Sequence, residues 1–128
     1  MSISSDIYTY LTNYASLKAL ISDRLYPVID KLGATEPFIV FDKNAQDEER
    51  AMGALVQSEA SYSFYVIEST HAALESTTAV LKTALRAMTG TVGSSTIRDV
   101  VVRESGQGFV IETGNWQATI EADVMFAP

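Results

Sequence analysis

Residues Ser61–Gly90 read SYSFYVIESTHAALESTTAVLKTALRAMTG, a β-strand feeding an amphipathic helix. Along Ala60–Glu68, the positions Ala60, Tyr62, Phe64 and Val66 share one parity and are apolar or aromatic. Ser61 and Ser63 take the other parity, followed by Tyr65 and Ile67. Near-alternation with aromatic and β-branched residues marks a strand, because successive side chains leave opposite faces. The period then lengthens. Leu74, Thr78, Leu81, Leu85 and Met88 recur at intervals of three and four, with Ala84 beside them, which draws one stripe along a helix. Ser69 or Thr70 offers a hydroxyl cap, and Gly90 a residue able to end the helix in the left-handed conformation. Lys82 and Arg86 lie four apart on the far side, towards the negative end of the helix dipole. A helix apolar along one stripe needs a sheet to cover, and the flanking segments supply its strands.

Upstream, Ser4, Ser5 and Asp6 are helix caps, and Ile3, Ile7, Leu11 and Tyr14 keep helical spacing. Leu17, Leu20 and Ile21 continue an apolar face after Ser16, as a second short helix. Pro27 opposes further helix in Arg24–Val28. Leu32–Pro37 is a connector, and Phe38–Phe41 reads as a buried strand. Lys43–Gly53 reads as a polar loop, dense in Asp47, Glu48, Glu49 and Arg50. Its functional alternative is an assembly loop that orders on contact with a neighbour, using Arg50 for charge pairing and Met52 as an apolar anchor. Leu55–Glu59 leads into the central strand. Downstream, Thr91–Ser95 is a turn, Ile97–Glu104 a valine-rich strand, Ser105–Gly108 a turn and Phe109–Thr113 a shorter strand. Gly114-Asn115 suits a two-residue hairpin connection. In the closing strand, Trp116, Ala118, Ile120, Ala122, Val124 and Phe126 form one face, and Gln117, Thr119, Glu121 and Asp123 the other. This order predicts a single α+β domain over residues 1–128. Its mostly antiparallel sheet has about four to five strands with helices packed on one face, and the Trp116–Phe126 apolar face lies under the helix Thr70–Thr89.

The net charge is −7, from 16 acidic and 9 basic side chains, and the basic residues are scattered. Tight binding to nucleic acid rests on phosphate neutralisation, which this balance disfavours. With no cysteine there are no disulfides and no thiolate ligands or nucleophiles. No apolar run approaches a membrane span, and Met1–Tyr10 lacks the basic start and apolar core of a signal peptide. His71 is the only histidine, and no local sequence offers it an oriented nucleophile. No G-x-S-x-G elbow occurs. The run Gly90–Thr96 lacks the lysine of a phosphate loop, Gly106-x-Gly108 lacks a third glycine, and Asp47, Glu48 and Glu49 lack calcium-loop spacing. The residues therefore predict no catalytic group, no cofactor and no metal.

The order and wording of the segments resemble one family over nearly the whole chain: the tail-completion, or tail-terminator, proteins of long-tailed bacteriophages, often described only as a domain of unknown function. The resemblance runs through Ile7-Tyr8-x-x-Leu11, Leu20-Ile21-x-x-Arg24-Leu25-Tyr26-Pro27, Pro37-Phe38-Ile39-Val40-Phe41, Leu81-x-x-Ala84-Leu85 and Glu112-Thr113-Gly114-x-Trp116. Two departures, Leu25 for isoleucine and no proline in Lys31-Leu32-Gly33, leave the subfamily open. The resemblance implies a non-enzymatic ring, usually a hexamer, that caps the tail tube at its head-proximal end and offers a surface for head–tail joining. Its partners would be the tail tube protein and a neck or head-completion protein, with DNA passing through without tight binding and no membrane involved. Its place would be the virion tail, assembled in the host cytoplasm. Arg24, Tyr26 and Pro27 match the family motif and would fix the chain between helix and sheet. Six copies would carry about −42, and Glu112, Glu121 and Asp123 are the candidates for an acidic channel lining. The alternatives are a neck or head-completion protein of the same particle and, from another class, a small ligand-binding domain or enzyme whose site forms only in three dimensions.

Overall fold

The computed structural model describes residues 3–21, 25–27, 38–51, 54–92, 95–111 and 114–127. Helices α1 (Ile3–Thr12) and α2 (Ala15–Ile21) precede the short strand β1 (Leu25–Pro27). Two long strands follow, β2 (Phe38–Ala51) and β3 (Ala54–Glu68), then helix α3 (His71–Arg86). The chain continues through β4 (Gly90–Val92), β5 (Ser95–Val110) and β6 (Asn115–Ala127). The six strands form one sheet in the order β1-β2-β3-β6-β5-β4. The β1–β2 pair is parallel and every other pair antiparallel. The sheet thus has six strands, more than the four to five read from sequence, and is mixed at one margin.

Alternation decides which face meets the helices. In β6, Ala118, Ile120, Ala122, Val124 and Phe126 are buried while the residues between them are half-buried. Across the β3–β6 ladder, Phe64 faces Ile120 and Tyr62 faces Ala122, so the apolar parities of the two strands coincide. Leu74, Leu81, Ala84, Leu85 and Met88 bring the α3 stripe into the same core, and Ile7, Leu11, Leu17 and Ile21 bring in α1 and α2. The expected packing of the closing strand beneath the central helix is what the structure shows. Polar pins fix the helices: the Thr70 hydroxyl accepts from the Ala73 N–H at 3.2 Å as the α3 N-cap, and Tyr10 donates to the Ala84 carbonyl at 2.9 Å.

Four local readings are corrected. Lys43–Ala51 is not a loop but the second half of β2, paired with β3 from Tyr62 to Ala54 with register shifts after Lys43 and Glu49. Main-chain pairing to a long neighbour sets its conformation there, which residue composition does not reveal. Ser105–Gly108 is not a turn. Gly106 and Gly108 face Thr119 and Gln117, and the chain absorbs its extra residue as a bulge after Glu104, so the two expected strands are one. The β5–β6 connection is residues 111–114 rather than Gly114-Asn115, because Val110 pairs with Asn115. Gly114 supplies the positive φ, 71°, and donates to the Val110 carbonyl at 2.8 Å. Gly90 also has positive φ, 101°, but it opens β4, whereas α3 ends at Arg86 with Ala87 still right-handed.

Ile120 lies at the centre of this core and is fully buried. Ile120→Asp should prevent folding, since an unpaired buried charge costs several kcal/mol or more. Ile120→Ala should lower stability by about 2–5 kcal/mol. Chemical denaturation checks both, and an unchanged midpoint for either would contradict the placement. A second expectation concerns alkaline pH. Burial raises the Tyr62 phenol above its ordinary 10.0, opposed by its hydrogen bond with Ser4. Burial, then the neighbouring Tyr14, raises Tyr10 as well. A raised folded-state pKa gives stability that is complete below the unfolded value and lost as pH climbs through the folded one. The melting temperature should therefore fall as pH passes about 10, and Tyr62→Phe should flatten that fall. Identical slopes in the two proteins would contradict the assignment.

Candidate assembly surface

With the helices all on one side, the opposite face of the sheet carries the other parity of each long strand. Near the start of β2 it is apolar. Tyr26 is level with Val40, Val40 with Tyr65, and Phe38 with Ile67. The Tyr26 and Phe38 rings lie 6.1 Å apart, and Val40 and Ile67 are buried. The motif residue Tyr26 thus belongs to this face, while its neighbour Leu25 enters the helix-side core. Pro27 ends β1. Arg24 lies outside the described residues.

Further along the strands, the same face becomes polar. Asn44 donates to Ser63 at 2.7 Å, and Ser61 donates to Asp123 at 2.8 Å. Arg103 of β5 donates to Glu121 at 3.1 Å and to Asp123 at 3.5 Å. Two of the three candidate lining residues are therefore brought together, and with them a guanidinium that the sequence reading did not include. Its signal was available: Asp99, Val101 and Arg103 share the parity opposite to Val100 and Val102. Glu112, the third candidate, lies outside the described residues. Exposed ion pairs of this kind contribute about 1 kcal/mol or less to stability, so their effect is mainly on the local field.

The candidate assembly residues Asp47, Glu48, Glu49 and Arg50 occupy β2, paired with Glu59, Ser58, Gln57 and Leu55 of β3; Met52 lies outside the described residues. Asp47 lies two rows from Asp123, and only Glu49 and Arg50 lie past the last row reached by β6. His71 sits on the helix side, at the first turn of α3. Its Nε2 is 3.1 Å from Gln107 and 3.3 Å from Glu75, and its ring centroid is 4.9 Å from that of Trp116. These contacts tie the helix start to β5 and β6. Lys82 does the same about three turns later through Glu104 at 3.2 Å. Among the described residues, no group of three or more His, Asp or Glu side chains is placed to hold a metal ion, and no helix is long and apolar enough to cross a membrane.

Set beside solved structures, the chain is similar to a chain of "Virion of native gene transfer agent (GTA) particle". The two superpose with a TM-score of 0.78 at 11% identity, over 99% of this chain and 96% of the other. They share a fold over essentially their full lengths. No family model matches the chain, and no curated protein matches it.

The charge pattern yields a direct expectation. With −7 overall and Arg103 already engaged by two carboxylates, the sheet face has no free cationic row for phosphate among the described residues. Duplex DNA should not be retained at physiological salt, and Arg103→Ala should leave that result unchanged. A retarded band in an electrophoretic mobility assay at such salt would contradict it.

Proposed function

We propose that this chain is a structural virion protein, a tail terminator. In this reading, copies close into a ring, taken as a hexamer, on the head-proximal end of the tail tube and present the surface on which the head is joined. The observation that carries it is the full-length similarity of fold to a chain from a gene transfer agent virion. The segment wording from Ile7 to Trp116 adds to it, because it resembles the tail-terminator family in particular. The chemistry of the residues accords with structural work: the lone histidine meets Gln107 and the Trp116 ring at the start of α3.

In the same reading, Glu121 and Asp123, with Glu112, face the path of the DNA and repel its phosphates, while Arg103 tempers the field locally. Asp47, Glu48, Glu49 and Arg50, with Met52, are an assembly element. Tyr26 and Pro27 hold β1 against β2, and Arg24 is the motif residue that precedes them. The partners are the tail tube protein on one side and a neck or head-completion protein on the other.

Electron microscopy of particles produced without this protein tests the reading. Overlong or headless tails are expected. Finished tails beside leaking heads would assign the protein to the neck instead, and normal infectious particles would refute a virion role altogether.

A further inference from the structure

The sheet has two margins, and among the described residues each is covered over three positions. On one side, β1 pairs with β2 at Ile39–Phe41. On the other, β4 pairs with β5 at Ser95–Ile97 and extends no further. Among the described residues, no strand lies outside β2 beyond Phe41 or outside β5 beyond Ile97. Long open edges are ready templates for another strand, and proteins ordinarily blunt them.

The rows of the sheet show where the two openings lie relative to one another. Phe41 is level with Phe64, Ile120 and Glu104. The next row joins Asp42, Ser63, Glu121 and Arg103. Four rows are then open on both margins up to Asp47, Glu59, Met125 and Asp99, and the row above that, Glu48 to Ile97, is where β4 begins. Among the described residues, Asp42–Asp47 and Arg98–Arg103 thus form open windows at the same height on opposite sides of one molecule.

Strand direction and charge fit one arrangement. Three antiparallel steps, β2–β3, β3–β6 and β6–β5, make β2 and β5 antiparallel. A second copy turned about an axis near parallel to the strands keeps those directions and heights, so its β2 window meets the first copy's β5 window as an antiparallel pair. Asp42 then falls level with Arg103, and the Asp47–Glu48 step level with Arg98, an exposed cation with no ion pair among the described residues. Asp99, in the Asp47 row, has its carboxylate turned to the Val100 N–H at 2.9 Å. Two-fold pairing does the opposite: β5 on β5 about the window centre sets Arg98 against Arg103, and β2 on β2 sets Asp42 against Asp47. Like charges directly across strands are destabilising. Exposed apolar surface also concentrates on the β5 margin. Val101, Phe109 and Ile111, at 44%, 49% and 85% exposure, are the exposed large hydrophobic side chains among the described residues.

We infer that copies of this chain join head to tail through their sheet edges, with the Asp42–Asp47 edge of one β2 pairing antiparallel to the Arg98–Arg103 edge of the next β5. This deepens the ring reading above and rests on it. A non-self-complementary edge contact of this kind repeats around an axis and closes when the rotation permits.

The full chain contains no cysteine, so Ala45→Cys with Val101→Cys places a thiol in one row on each margin. Within one molecule these positions are three strand spacings apart, about 14 Å. A disulfide spans at most about 7 Å between Cα atoms, so only a bond between copies can form. Oxidation should give a ladder of covalent multimers on a non-reducing gel, ending at the ring and collapsing with reductant, while each single variant remains monomeric. Dimers from Val101→Cys alone would show two-fold pairing and overturn the inference. Equal ladders from Ala45→Cys with Phe109→Cys would overturn the register. A ring by native mass without a ladder would overturn this interface and leave the ring standing; a monomer without a ladder would remove both. Arg98→Glu supplies a second arm without cysteines: ring mass should be lost, and Arg98→Glu with Glu48→Arg should restore it. Rings unaffected by Arg98→Glu alone would contradict the charge match.

Discussion

Burial of the α3 stripe against β3, β6 and β5 is the contact on which the remaining structure depends. Leu74, Leu81 and Leu85 are fully buried there, each a gain of about 1.5–3 kcal/mol over exposure. The three strands they cover come from both sides of the helix in sequence, so one amphipathic segment holds together two hairpins that share no local connection. Directional contacts at its rim then fix its rotation. The Thr70 cap sets where it begins, Thr77 donates to the buried Glu68 carboxylate, and Lys82 and His71 reach β5 through Glu104 and Gln107. A helix held by apolar area alone slides readily; one pinned at four points along its length does not.

Placing all the helices on one side leaves the other face to the strands themselves. Its surface changes character along the strand direction, from the aromatic pair Tyr26 and Phe38 to the Asn44–Ser63 and Ser61–Asp123 hydrogen bonds. Both halves cross strand boundaries, so neither can be recognised in a single segment. An arm adds a feature of shape. β2 and β3 continue pairing past the last row reached by β6, where Ser58 meets Phe126, so among the described residues Ala54–Gln57 and its partners extend as two strands alone. A two-stranded ribbon in water is marginal by itself.

Much of the core was legible in the residues. The period-two run at Ala60–Val66, the three-and-four spacing in α3 and the clean alternation of β6 correspond to three of its principal walls, because each has one buried and one wetted side. Legibility failed where side chains do not select the conformation. Asp42–Ala51 has no apolar alternation and is a strand because β3 lies beside it. Ser105–Gly108 has the residues of a turn, yet β6 opposite continues without interruption and holds it in the ladder with one bulge. The parallel β1 was invisible for a further reason: three residues are too few for a period. Of the candidate surface, Glu121 and Asp123 were readable as one strand face, but their guanidinium partner comes from another strand, and only the register supplies it.

The position of β6 sets an order of events during synthesis. It follows β5 in the chain but lies between β3 and β5 in the sheet, and the β3–β6 ladder joins residues about fifty to seventy positions apart. Until β6 leaves the ribosome, β3 has an unpaired side and α3 has only part of its cover. Hairpin β2–β3 forms from nearby residues, whereas closure of the middle of the sheet waits for distant ones, and such long-range pairings are slow. The last strand to arrive is the keystone, so a nascent chain exposes its stickiest surface inside the molecule's own future centre.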